Sequence, residues 1–171
     1  IMSVFKAYDI RGLAGSQLDG NFAERLGKSL AIHLDAKTIA VARDIRESGP
    51  ELHDSFLKGL TSSGVDVLDL GITTTGVLYR ATVDLPVDAG VVITASHNPP
   101  EYNGFKICNG QLPMAGKELQ DLKETFDNKE FREGNGIVKD CSDFEKKYLE
   151  TIVSNAGKPK RKMKIAIDCG N

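Results

Sequence analysis

The stretch AGVVITASHNPPEYNGFK, residues 89–106, opens on a continuous apolar run and then turns abruptly polar. The run AGVVITA (89–95) has the length and composition of a strand buried on both faces, the pattern of a parallel sheet covered by helices. Behind it come Ser96, His97 and Asn98, then Pro99 and Pro100, which rule out a regular helix or a central strand. Ser96, His97, Asn98, Asn103 and Lys106 all carry polar groups that an apolar core could not satisfy. The segment therefore reads as a rigid exposed loop at the end of a buried strand, where functional residues concentrate.

Working outward, TIAVA (38–42) is β-branched and apolar, and VDVLDLG (65–71) alternates, so both are expected strands. NFAERLGKSLAIHL (21–34) puts Phe22, Leu26 and Leu30 on one helical stripe. SGPELHDSFLKGL (48–60) does the same with Leu52, Phe56 and Leu60. It begins with Ser48, Pro50 and Glu51, a capping-box signature. TTTGVLYRATVDL (73–85) predicts a third helix, although Gly76 and its β-branched residues count against it. Strands separated by helix-length segments imply βαβ crossovers, so the fold class is α/β: a mainly parallel mixed sheet sandwiched between helices. GFKICNG (104–110) adds a strand expected to be antiparallel, since too few residues precede it for a crossover. GKELQDLKETFDN (116–128) reads as a polar surface helix, and SDFEKKYLETIVSNAG (142–157) as another after the glycine-containing REGNGI (132–137).

The 171 residues suit one principal domain with an ordinary hydrophobic content of 40%. A net charge of -2, from 22 basic and 24 acidic side chains, gives no electrostatic footprint for nucleic acid or an anionic membrane, so neither is an expected partner. No apolar stretch approaches membrane-spanning length. Cys108, Cys141 and Cys169 are odd in number and widely spaced, which argues against a disulfide framework or a zinc site and points to a reducing cytoplasm. GKPKRKMK (157–164) is a basic, proline-bearing connector, and KIAIDCGN (164–171) opens what reads as a fresh strand. The expected organisation is a domain over residues 1–157, followed at 158–171 by a connector and the first strand of a second, truncated domain.

Ligands of open α/β sheets bind at the carboxyl ends of parallel strands. Arg43, Asp44 and Arg46 follow TIAVA, Ser96–His97–Asn98 follow AGVVITA, and Tyr8, Asp9 and Arg11 follow VFKAY (4–8), taken as a first strand. Three polar clusters on one sheet edge, rich in arginine and joined by Lys106, suit a phosphorylated ligand, because guanidinium forks match phosphate geometry. Taken singly, each cluster has a plainer reading. Arg43–Arg46 could be a solvated turn, Lys106 a surface lysine, His97 a satisfied loop histidine and Ser96 a turn cap. His33 and His53 receive no role. No G-x-S-x-G elbow surrounds Ser96 and no P-loop occurs, so acyl transfer and P-loop nucleotide hydrolysis are unsupported. A serine among cations fits a phosphate carrier.

These residues resemble a known family. TASHNPPEYNGFK (94–106) is similar to the phosphoserine signature of the α-D-phosphohexomutases, and FKAYDIRG (5–12) and VARDIRES (41–48) look like two further motifs of their first domain. The PPEYNGFK continuation looks more like the phosphomannomutase/phosphoglucomutase branch than the phosphoglucosamine mutases, which stay as the alternative beside a non-catalytic sugar-phosphate-binding module. The resemblance implies interconversion of hexose 6-phosphate and hexose 1-phosphate, mannose or glucose, through a phosphoserine and a bound 1,6-bisphosphate. It makes Ser96 the covalent carrier, with Lys106 and Arg11 as catalytic partners. Tyr8, His97, Asn98, Asn103 and Arg43 are assigned to substrate binding or loop ordering, Tyr8 to substrate contact and His97 and Asn98 to ordering the serine loop. It implies Mg²⁺ bridging a phosphoserine oxygen at Ser96 and carboxylates outside these residues, since the family's D-x-D-x-D loop is missing between 1 and 171. It also implies glucose 1,6-bisphosphate as activator, and further domains of the same polypeptide as partners.

Overall fold

The computed structural model describes residues 3–128 and 130–168. In chain order its elements are β1 (Ile10–Leu13), α1 (Gly20–His33), β2 (Thr38–Arg43), α2 (Gly49–Thr61), β3 (Asp66–Ile72) and α3 (Thr75–Asp84). They continue with β4 (Ala89–Ile93), β5 (Tyr102–Asn109), β6 (Leu112–Pro113), α4 (Lys117–Asn128), β7 (Val138–Asp140) and α5 (Phe144–Ala156). The sheet order is β1-β5-β4-β2-β3-β7, with β6 paired to β5. β2 lies between β3 and β4 and is parallel to both, and β7 extends the same direction beyond β3. β5 runs against β4 and β1, so the expected mixed, mainly parallel sheet is present and GFKICNG is antiparallel as the short connection requires.

Two layers of helices follow from the alternation of side chains along the central strands. Ile39 and Val41 of β2 face the larger core, packed with Leu26 and Leu30 of α1, Leu52, Phe56 and Leu60 of α2, Phe105 of β5, and Leu119 and Leu122 of α4. Ala40 and Ala42 face the opposite layer with Val77, Leu78 and Ala81 of α3 and Phe144 of α5. Every residue of β4 is buried, as a strand covered on both faces demands. α1 and α2 touch backbone to backbone. A Cβ on Gly59 would lie 2.1 Å from the Glu24 carbonyl oxygen, and one on Gly27 2.6 Å from that of Phe56. Only glycine allows that approach. Within this larger layer His53 is buried with Nε2 3.0 Å from Asp69 Oδ1 and Nδ1 3.3 Å from Asp54 Oδ1, joining α2 to β3.

Several expectations need correction. The first strand is Ile10–Leu13, while residues 4–8 contribute only a bridge from Phe5 to Ile10. Ile10 and Phe105 are the fully buried pair, so the strand forms where the ladder to β5 can form. The Ser48–Glu51 capping box is not made. Ser48 Oγ accepts from Asn103 Nδ2 at 2.8 Å, and Glu51 Oε1 accepts from the Gly20 N–H at 3.1 Å, so tertiary partners take both side chains. α4 is amphipathic rather than wholly surface, with Leu119, Leu122 and Phe126 buried. The glycines of REGNGI serve packing: Cβ atoms at Gly134 and Gly136 would collide with the backbone of Gly64 and Val65. They bring β7, a strand missed in the sequence, onto the edge of β3. Residues 164–168 form no strand, and Ile165 and Ile167 are exposed. The rest of that expected strand, residues 169–171 with Cys169, lies outside the described residues. Among the described residues no helix is long and apolar enough to cross a membrane.

Candidate active site

β4 ends at Ile93, and the chain leaves the sheet through Thr94 and Ala95 to an exposed Ser96 with φ of 57°. Left-handed backbone is unusual for a serine and is kept only where the surroundings over-determine it. The Ser96 N–H donates to Thr94 Oγ1 at 2.9 Å, and the Ser96 carbonyl accepts from Arg46 Nη2 at 2.9 Å. Ser96 Oγ lies 3.3 Å from Nδ1 of the exposed His97. The serine borders two adjoining open hollows of about 450 and 570 Å³ that share Asp44, Ile45 and Ser96 in their walls. One runs toward Thr73–Thr75 and Glu145, the other toward Arg46, Asn98 and Pro100.

Arg46 lies beneath the serine loop. Its Nη1 donates to the carbonyls of Pro99 (2.7 Å) and Tyr102 (3.0 Å), its Nη2 to those of Ser96 and Asn98 (2.7 Å), and its Nε to Asp44 Oδ2 (3.2 Å). Thr94 Oγ1 donates to the same Asp44 oxygen at 2.7 Å.

A second cationic group comes from the β1–β5 end of the sheet. The alternation that buries Ile10 and Phe105 turns Arg11 and Lys106 to the other face. Asp9, nearly buried just before β1, pairs with the Arg11 guanidinium and lies 3.4 Å from Lys106 Nζ. Arg11 Nη1 donates to Asn98 Oδ1 at 2.7 Å, which ties this pair to the serine loop. Arg11 Nε is buried without a partner among the described residues.

An exposed serine in left-handed backbone, a clamped proline loop and a carboxylate-bridged pair of cations form a constellation that comparison with other proteins can place. A family profile described as "Phosphoglucomutase/phosphomannomutase, alpha/beta/alpha domain I" matches residues 2–133. This chain belongs to that family. It is 42% identical over 98% of its length to a Neisseria meningitidis protein named phosphoglucomutase, and 38% identical over 99% to a Pseudomonas aeruginosa protein named phosphomannomutase/phosphoglucomutase. A crystal structure of a phosphoglucomutase/phosphomannomutase family protein from Burkholderia thailandensis superposes with a TM-score of 0.83 at 37% identity, covering 89% of this chain and 35% of that one. The chain spans 37% of the length of the two curated relatives.

On this phosphoglucomutase/phosphomannomutase domain, the structure brings together Ser96, His97, Asn98, Arg11 and Lys106. It corrects the position of others. Tyr8 stands 78% exposed before β1, and Arg11 lies within β1 rather than behind a strand. Arg43 donates to the Asp44 carbonyl at 3.1 Å and lies against Gly49. Asn103 is fully buried, donating to Ser48 and accepting the Gly104 N–H at 2.9 Å, so its side chain ties β5 to the start of α2. The roles of Arg46 and Thr94 were missed in sequence, since their partners are mostly backbone atoms and one shared carboxylate.

The donor set for a divalent cation is incomplete here. Mg²⁺ demands near-octahedral oxygen ligation. Among the described residues no group of three or more His, Cys, Asp or Glu side chains could hold a metal. Asp44, the carboxylate that shares the hollows with Ser96, is committed to Arg46 and Thr94. These residues do not by themselves fit the ion.

Proposed function

We propose that this chain is the serine-bearing first domain of a mutase that interconverts hexose 6-phosphate and hexose 1-phosphate. Residues 1–157 would form the domain, and residues 158–171 a connector into the next. The observation that carries the reading is Ser96 itself, exposed at the carboxyl end of a buried parallel strand with both backbone polar groups fixed and its hydroxyl at the surface beside His97. Names of relatives with 38–42% identity point to glucose and mannose phosphates as the substrate class.

In this reading the resting enzyme carries phosphate on Ser96. The Oγ–P bond breaks as a sugar hydroxyl oxygen bonds to phosphorus, giving a hexose 1,6-bisphosphate. The hydroxyl proton leaves the sugar, and Ser96 Oγ takes one up. After the bisphosphate turns over, its other phosphate returns to Ser96 by the same exchange reversed. Such a transfer depends on positioning and charge stabilisation more than on covalent work by the protein. Lys106 is the group suited to hand the proton on, since arginine does not deprotonate in proteins. Arg11, held by Asp9 and Asn98, supplies fixed positive charge. His97 and Asn98 order the loop, and Tyr8 is exposed for contact with sugar. Mg²⁺ is assigned to the complete polypeptide, with this chain contributing only an oxygen of phosphorylated Ser96, and glucose 1,6-bisphosphate is the expected activator. A reducing cytoplasm is the proposed setting.

Intact mass of the purified full-length polypeptide, before and after glucose 1,6-bisphosphate, tests the reading. The expected result is one phosphate on wild type, present at purification or added by the bisphosphate, and none on Ser96→Ala. Wild type that carries no phosphate in either sample refutes the carrier role.

A further inference from the structure

Arginines near a phosphate carrier invite assignment as phosphate ligands, yet Arg46 has no donor to give. A guanidinium has five N–H groups in a fixed fork. All five are used, one on Asp44 and four on the carbonyls of Ser96, Asn98, Pro99 and Tyr102. Thr94 is similarly committed. Its single hydroxyl proton goes to Asp44 Oδ2, which leaves an oxygen lone pair for the Ser96 N–H. A closed ring results: Ser96 N–H to Thr94, Thr94 to Asp44, Arg46 to Asp44, and Arg46 to the Ser96 carbonyl. Both backbone polar groups of the serine end on one carboxylate. The Arg46 N–H also donates to Asp44 Oδ1 at 3.1 Å, fixing that carboxylate's orientation.

We infer that Asp44, Thr94 and Arg46 are positioning residues that hold Ser96 in its left-handed backbone, and so set the direction of Oγ, without binding the substrate's phosphate. The inference rests on the carrier reading of Ser96. A serine freed from the ring would relax toward right-handed backbone, since αL is disfavoured for residues with a Cβ. Its oxygen would then swing away from the line of transfer. Asp44, Thr94 and Arg46 border the hollows, but the donors of Thr94 and Arg46 are spent on Asp44 and the loop, so the ring acts on rate rather than on sugar-phosphate affinity.

The test uses the full-length polypeptide and steady-state kinetics normalised to the folded fraction. Thr94→Val keeps the shape and removes the hydroxyl, whereas Thr94→Ser keeps the hydroxyl and loses a methyl. Thr94→Val should lower kcat about 10²-fold, the scale of loss for a misplaced reacting group, with KM for the hexose phosphate changed by less than about threefold. Thr94→Ser should stay within about threefold of wild type in both constants. Arg46→Lys, which cannot reproduce the five-donor fork, should also lose kcat with KM preserved. The inference is overturned if Thr94→Val matches or exceeds Thr94→Ser, the order a packing role would give. It is equally overturned if Arg46→Lys raises KM at unchanged kcat, the signature of a phosphate ligand. If Arg46→Lys does not fold, the Thr94 pair decides. Ser96→Ala separates the two levels: full activity in that variant removes the carrier reading itself, whereas an inactive Ser96→Ala with active Thr94→Val removes only the positioning device.

Discussion

Lys106 is 27% exposed on its side chain, and its ammonium faces the carboxylate of Asp9. A lysine's aliphatic stem and its charge contribute separately, so the two can be separated by substitution. Lys106→Met retains the stem and removes the charge. Turnover of the full-length protein should fall by about 10² to 10⁴, the usual share of a proton-transferring group. Unfolding free energy should change by less than about 1 kcal/mol, the scale of a partly exposed ion pair. Kinetics together with urea melts check this, and a stability loss as large as the kinetic loss would identify a structural lysine. By contrast Cys108 is a residue without chemistry: burial pushes its thiol up to about 11, so it stays protonated and unreactive. At this scale the sequence is legible for Ser96, Asn98 and Lys106, whose polar groups follow or pair with a buried strand. It is not legible for Arg46, because carbonyl acceptors on residues 96–102 leave no mark in residue identity.

α2 and β3 are joined by a pair between buried His53 and half-buried Asp69, whose protonation couples the two elements to pH. Burial of His53 works against its charged form, but hydrogen bonds and charge from Asp69 and Asp54 outweigh it and raise it above its ordinary 6.5. Burial likewise pushes Asp69 up, but the bonds from His53 and the Gly71 N–H, with the charges of His53 and Arg43, hold it below 3.8. A raised histidine contributes stability fully below 6.5 and loses it as pH rises through its folded value, and a lowered carboxylate contributes above 3.8 and loses it as pH falls through its own. The pair is strongest between those limits. Melting temperatures of wild type and His53→Gln should therefore differ most near pH 6 and converge as pH rises above 6.5. A difference independent of pH across that range would show that only packing links the elements. Element boundaries show the same division. Apolar periodicity locates α1, α2, β2 and β4. β1 is misplaced to residues 4–8 and β7 is missed because their pairing depends on Phe105 and on the glycine contact at Gly64, both remote in sequence.

For the whole molecule, the two helical layers leave the carboxyl edge of the sheet open, with the serine and its hollows uncovered on one side. The described residues supply the proposed carrier serine and the Arg11 and Lys106 charges but no metal cluster. Residues 1–171 by themselves should show no mutase turnover above background in a coupled assay of glucose 1-phosphate, while the full-length polypeptide turns over. Parent-like activity from the 171 residues would show that this domain holds a complete site. What the sequence alone determined is the α/β class, the order of the central strands and helices, and the identity of the serine loop, because hydrophobic period, proline and glycine act on near neighbours. Tertiary structure alone decided which strand carries Arg11, that Asn103 is internal and that Arg46 is a clamp. Each of those depends on hydrogen-bond partners some 50 or more residues apart, which meet only when the crossovers bring β1, β2, β4 and β5 side by side.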